Sequence, residues 1–328
     1  MPLERHRMAW LDSLRGWGVA LVVIGHCLSG GVLREWIYNF HVPLLFVLSG
    51  YLNELLYDGA RRFRVKRILL PYMIWAFISA SFYLLFNMDR SALWLLNDII
   101  PVCGFSSWNA PLWFLYVLIF VGLLKPLWRD CKSYIPLFLF GVVVLCICVI
   151  FPNVSNALAW RNVFLGITCV GIGESLARYN VVEKAVRNRT APIAMLVLGS
   201  VVGICNGPVS IYGCYYGRTV WMLAIASILI SIALMAIFKR CEHVFPAWLG
   251  LLGRCSLFIM VSHYFALLII GRVVYKILGT DPDNIFCQLG LGVLILCAYL
   301  LYFKVLSVCN LNYRLPDYLG GFKDLKEK

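Results

Sequence analysis

Charge is the scarcest property of this 328-residue sequence: Asp, Glu, Lys and Arg together make up 14% of it, where a soluble domain carries about 25%. A soluble globular enzyme is therefore excluded. There is no glycine-rich phosphate loop, coiled-coil heptad, low-complexity tract or internal repeat, so nucleotide-cradling and repeat architectures are set aside. The 13 cysteines contain no CxxC pair and no His/Cys cluster with zinc spacing, which argues against a metal site or a disulfide framework. Cys146, Cys148, Cys169 and Cys297 lie inside apolar runs and read as small buried hydrophobes.

What is present is 62% apolar residues, gathered in blocks long enough to cross a bilayer. They fall at about residues 9–28, 36–57, 68–87, 111–128, 133–151, 160–178, 190–206, 219–238, 250–271 and 285–306. The expected fold is all-α: a polytopic integral membrane protein with about ten transmembrane helices in one membrane domain over residues 1–328. Helices occupy about 9–306, a cytoplasmic tail follows at 307–328, and no soluble domain is appended. Arg5 and Arg7 before an apolar stretch imitate a signal peptide, but Asp12 and Arg15 interrupt it and no small-x-small site follows, so the segment is read as a retained helix.

With both termini in the cytoplasm, ten alternating spans leave only Arg34, Arg90, Arg161, Arg218, Arg272 and Lys276 outside, and Arg15 and Arg254 within spans; the rest of the 29 Lys and Arg face inward. That is the positive-inside pattern. The net charge of +13 is then mostly a membrane address, with lipid as its partner and not nucleic acid. The stretch Asn87–Ala110 holds Trp94, Leu95, Leu96, Ile99 and Ile100 and is expected to lie on the outer surface as a short amphipathic helix.

An ionisable group inside a span costs at least ~2.5 kcal/mol on insertion scales and marks a functional site by default. The first span carries Asp12, Arg15 and His26. At about 100° per residue all three share one face, with Arg15 and His26 about 16 Å apart along the axis, which suits two ends of one long ligand. Asp12 is expected to orient or neutralise Arg15. The second span adds Asn39, His41, Ser49 and Asn53, with Pro43 expected in its interior as a kink that frees the Asn39 carbonyl. Arg61, Arg62, Arg64, Lys66 and Arg67 read either as a topology anchor on lipid headgroups or, for Arg64 and Arg67, as two forks for a phosphate. Trp113, Glu174, Arg254, Ser256, Ser262 and His263 come later. The bland reading of His263 is a structural residue between helices; that of Glu174 is a carboxylate near a cytoplasmic helix end that reaches water.

A histidine is the natural general base near neutral pH and can also accept an acyl group. Three functions are compatible with such a stripe: a membrane acyltransferase whose cationic mouth holds an acyl-coenzyme A, a secondary transporter for an organic anion, and a lipid-binding scaffold without turnover.

The motifs narrow this. Leu11-Asp12-Ser13-Leu14-Arg15-Gly16, with His26 following Arg15 after ten residues, resembles the arginine-x10-histidine signature of the acyltransferase-3 family of integral-membrane acyltransferases. The run from Phe40 to Tyr51, containing Phe46, Ser49 and Gly50, resembles its FFxxSG segment, with Leu45 where the first aromatic is usual. Arg64-Val65-Lys66-Arg67 is similar to its arginine-x-x-arginine motif, Pro111-Leu112-Trp113-Phe114 to its tryptophan-phenylalanine segment, and Leu249 to His263 to its late glycine-x-x-serine to histidine segment. The wording is closest to the fucose 4-O-acetylase-related branch of sugar acetyltransferases.

The resemblance implies an O-acetyltransferase of a bacterial cytoplasmic (inner) membrane. It would take an acetyl or short acyl group from acetyl-CoA (acyl-CoA) as co-substrate, without a metal, and place it on a hydroxyl of an envelope glycan or lipid-linked sugar. It implies His26 as the catalytic histidine, Arg15 (with Asp12) supporting it or the donor, and Arg64 and Arg67 binding the coenzyme phosphates.

Overall fold

The computed structural model describes residues 8–55, 65–86, 109–127, 156–279 and 281–308, with single helical positions at Gly141, Val143, Ile147 and Ile150. Twelve α-helices follow one another among these: α1 (Ala9–Cys27), α2 (Val32–Tyr38), α3 (His41–Leu55), α4 (Val65–Phe86), α5 (Leu112–Leu124), α6 (Trp160–Arg178), α7 (Val181–Arg187), α8 (Ala191–Asn206), α9 (Val220–Arg240), α10 (Ala247–Arg254), α11 (Ser256–Leu278) and α12 (Ile285–Val308). The described residues contain no strand, only an isolated antiparallel bridge between Ser210 and Tyr215. Arg61, Arg62, Arg64, most of the Asn87–Ala110 stretch, the expected helix at 133–151 apart from four positions, and the tail from 309 lie outside the described residues.

Three of these helices, α9, α11 and α12, are long and apolar enough to cross a membrane unaided, and α7 with α8, bent by 111°, forms a fourth if the pair is one broken span. Local chemistry explains their limits. The Thr219 hydroxyl accepts the Met222 amide at 3.1 Å and caps α9, whose last turn carries Lys239 and Arg240 against the negative end of the helix dipole. The left-handed Gly279 (φ +58°) ends α11. At 19 residues α1 is long enough to cross, but its polar face lowers its hydropathy, so it needs neighbours to cover that face.

Those neighbours approach closely because small residues let them. A Cβ on Gly16 of α1 would overlap the Leu249 carbonyl of α10, and one on Gly253 of α10 would overlap the Asp12 carbonyl, so the two backbones are in direct contact. Gly50 of α3 and Gly173 of α6 do the same against the carbonyls of Val170 and Val47. Close glycine contacts are how helices gain dispersion energy in lipid, where apolar surface gains nothing by leaving the solvent. Helix α1 also packs on α3, α9, α11 and α12, which puts it at the centre of the bundle.

Three expectations are corrected here. The segment expected at 36–57 is two helices: Asn39 and Phe40 form a corner between α2 and α3, and Pro43 stands in the first turn of α3. A proline there replaces an amide that has no intrahelical partner, so no interior kink arises and the Asn39 carbonyl is not freed by it. The segment expected at 250–271 is likewise two helices, broken between Arg254 and Ser256. Cys169 is buried, whereas Cys297 is exposed on α12, a candidate span most of whose surface the rest of the described chain leaves uncovered.

Candidate active site

His26 stands in the last turn of α1, half-buried. From there the chain turns through exposed Ser29, Gly30 and Gly31 into α2, which returns Tyr38 to the histidine: its hydroxyl lies 3.3 Å from His26 Nδ1. Arg34, one turn earlier on α2, places its guanidinium 4.2 Å from the centre of the Tyr38 ring, a cation–π contact.

The α2–α3 corner that holds Tyr38 is tied down by buried amides. Asn39 donates to the Glu35 carbonyl at 2.8 Å and the Gly207 carbonyl at 3.0 Å, and Asn206 donates to Asn39 Oδ1 at 2.9 Å. Immediately after the corner, His41 donates Nδ1–H to the Ile37 carbonyl at 2.7 Å, and its ring centre is 4.9 Å from that of Tyr38. An Nδ1 donor leaves Nε2 as the acceptor of the neutral ring.

The third imidazole comes from α11. His263, 1% exposed, has its ring centre 5.0 Å from that of His26 with 34° between the planes. Its Nδ1 donates to the carbonyls of Ile259 at 3.0 Å and Met260 at 2.9 Å. Its Nε2 is buried without a hydrogen-bond partner. Tyr264 presents its ring edge-on to His26 at 5.9 Å. Asn109 fixes this part of α11 by donating to the Val261 carbonyl at 3.0 Å and to Ser79 Oγ of α4 at 3.2 Å. The site therefore holds three imidazoles and two phenols with Arg34 as a nearby cation, a set suited to moving protons and to nucleophilic attack on a carbonyl. Among the described residues no group of three or more His, Cys, Asp or Glu is placed to hold a metal ion.

The other expected residues lie elsewhere. Asp12 and Arg15 are half-buried on the same unbroken helix as His26, where α10 passes over Asp12 and Gly16. Arg254, at the end of α10, has a buried Nε with no hydrogen-bond partner. Arg67 is exposed in the first turn of α4, and Arg64 is outside the described residues. Trp113 is a core residue, 6.1 Å from the Phe46 ring. Ser262 turns to α12, bonding the Tyr299 hydroxyl at 2.7 Å, and lines a cavity of about 330 Å³ with Phe258, Ala266 and Tyr302.

Glu174 does not reach water. It is 1% exposed, accepts from Asn53 Nδ2 at 3.0 Å and pairs with the Lys125 ammonium, so it joins α3, α6 and the turn after α5. Nearby cations are engaged in the same way: Lys239 with Glu183 at 2.6 Å, Arg178 with Glu54 at 2.9 Å, and Arg240 on the carbonyls of Val186 and Asn188.

The sequence marks His26, His41 and His263 as separate candidates and does not join them, and it leaves Tyr38 and Arg34 unmarked as site residues. His41 and His263 both carry the signal used for His26, an imidazole within an apolar segment; Tyr38 and Arg34 carry none, since an aromatic or a charge near a helix end is ordinary. The acyltransferase domain family matches residues 8–305, which covers α1 and all the residues of this cluster. Neither a curated protein nor a solved structure matches the chain.

Proposed function

The chain belongs to the acyltransferase-3 family of membrane acyltransferases, and on that premise we propose that it moves an acetyl or short acyl group from acyl-coenzyme A at the cytoplasmic face to a hydroxyl of an envelope glycan or a lipid-linked sugar. The fucose 4-O-acetylase-related branch supplies the acceptor class. The membrane is the bacterial inner membrane, crossed about ten times by one domain with both termini inside.

One observation carries the reading. His26 and Arg15 stand on a single unbroken helix, about 16 Å apart along its axis and within about 20° of the same face, and the His26 end is where the histidines and tyrosines converge. That spacing is close to the reach of an extended pantetheine arm. The anionic head of the donor lies at the inner mouth, held by Arg15 with Arg64 and Arg67, and the thioester reaches His26. Lys125, Lys239, Arg178 and Arg240 are committed to structural pairs; Arg64 and Arg67 take the phosphate-binding role that the resemblance to the family's arginine-x-x-arginine motif implies.

For His26 to react at Nε2 its proton must sit on Nδ1, and the Tyr38 hydroxyl, 3.3 Å from Nδ1, is placed to accept that N–H in this tautomer. Arg34 over the Tyr38 ring holds that phenol in place by a cation–π contact. Loss of the acetyl increment from envelope glycans of a deletion strain, restored by the wild-type chain and not by His26→Ala, is the expected outcome by mass spectrometry. Unchanged glycans in the deletion strain contradict the acceptor class.

A further inference from the structure

We propose that His263 is the second base of the reaction: it takes the proton of the acceptor hydroxyl while His26 carries the acyl group. This rests on the acyltransferase reading and assigns the reaction a two-step course.

His263 carries a buried atom that has nothing to bond. The two carbonyls at Nδ1 fix the proton of neutral His263 on that nitrogen, which makes Nε2 a lone-pair acceptor. It is buried and unpartnered. Buried polar atoms are almost always satisfied, so an exception needs an explanation. The donor that would satisfy it is an O–H arriving with a substrate. Its ring is already 5.0 Å from that of His26, so a hydroxyl oxygen lodged beside His263 also lies beside whatever His26 carries.

His26 has no nitrogen to spare for that hydroxyl. Once Nε2 is acylated, the remaining nitrogen is Nδ1, and it faces Tyr38. His41 donates Nδ1–H to Ile37 and its ring meets Tyr38; among the described residues His263 is the imidazole in ring contact with His26.

The steps balance. His26 Nε2 attacks the thioester carbonyl, an N–C bond forms, the C–S bond breaks and the coenzyme leaves as thiolate. The Nδ1 proton of His26 passes through the Tyr38 hydroxyl, which gives up its own, and the thiolate becomes thiol. The acceptor hydroxyl then loses its proton to His263 Nε2 as its oxygen bonds the acyl carbon. The C–N bond to His26 breaks, His263 returns the proton to the departing Nε2, and exchange through the Tyr38 hydroxyl restores the Nδ1–H of His26 before the next turnover. Both rings end neutral, and the products are an ester and a thiol.

The test uses the full chain in lipid nanodiscs, with radiolabelled acetyl-CoA and, as acceptor, an envelope extract from a deletion strain. His263→Asn keeps an amide N–H near the Nδ1 position for the Ile259 carbonyl and removes the base; His263→Gln is the second variant, with an amide nitrogen near the Nε2 position. Without acceptor, the wild type and at least one of the two variants become labelled on protein and His26→Ala does not. On adding extract, the wild type clears its label into glycan, while the labelled His263 variant does so at least about 100-fold more slowly, the scale of a lost general base. Hydroxylamine, which needs no base, strips label from both at similar rates.

A labelled His263 variant that clears at the wild-type rate overturns the second base and leaves the acyltransferase reading intact. So does failure of both variants to become labelled, which would place His263 before acylation or in folding. Absence of protein-bound label on an active wild type overturns the two-step course. A His26→Ala protein that transfers normally overturns the acyltransferase site itself, and is distinguishable from all of these.

Discussion

Arg15 and His26 sit on one uninterrupted helix, three helical turns apart and nearly in register around its axis, so the two ends of α1 move as one body. A group bound at the Arg15 end is held at a fixed distance from the imidazole at the other end, and positioning of this kind is worth orders of magnitude in rate. Arg15→Gln is expected to raise KM for acetyl-CoA about tenfold or more with a smaller change in kcat, since under the proposed function it removes a contact made to the donor before reaction. Steady-state kinetics with acetyl-CoA varied would check it, and a pure kcat loss would contradict the assignment of Arg15 to the donor.

The Tyr38 hydroxyl lies at Nδ1 of His26, the ring nitrogen opposite the one proposed to take the acyl group. Tyr38→Phe is expected to lower kcat by about 10- to 100-fold and to leave KM for acetyl-CoA nearly unchanged, as for a group that positions a base. A wild-type kcat in the phenylalanine variant would remove Tyr38 from the mechanism.

Lys125 and Glu174 are both buried, and stripping one partner from such a pair costs about 3–5 kcal/mol because the other charge is stranded. Glu174→Leu should therefore unfold at a much lower temperature than the wild type. Lys125→Met combined with Glu174→Leu should recover most of that loss and retain turnover, since the pair joins helices and is remote from the imidazoles. A double variant that is stable but inactive would return Glu174 to the chemistry.

The α1–α10 crossing tolerates no side chain at Gly16 or Gly253, because even a methyl group meets backbone. Gly16→Ala is expected to cost about 1–3 kcal/mol or more, the range of overpacking, read as a lowered melting temperature in detergent. Gly30→Ala, at a position with nothing near its Cβ, is the control expected to be neutral.

Much of this fold was legible because apolar runs end where polar or turn residues intervene. The span read at 160–178 is α6 to the residue, bounded by Ala159 on one side and the Tyr179-Asn180 turn on the other. Breaks inside apolar sequence were not legible. Arg254-Cys255-Ser256 interrupts a helix without any proline or glycine at the break, and Phe40 turns the chain while looking like core. That His26 and Arg15 share one helix face was legible from their spacing, since a helix dictates which of its own residues lie on one side. The meeting of His26, His263 and Tyr38 was not, because it depends on which faces of α1, α2 and α11 pack together, and periodicity within one helix carries no information about its neighbours. Glu174 was misread toward water for the same reason: Lys125 and Asn53 reach it from other helices.

The central claim is that the imidazole of His26 receives the acyl group or its proton traffic. Purified wild-type protein and a folded, membrane-inserted His26→Ala variant, each supplied with radiolabelled acetyl-CoA and envelope extract, test it most directly. The account predicts label in glycan for the wild type and a loss of at least about 1,000-fold for the variant. Transfer by His26→Ala at the wild-type rate would contradict it.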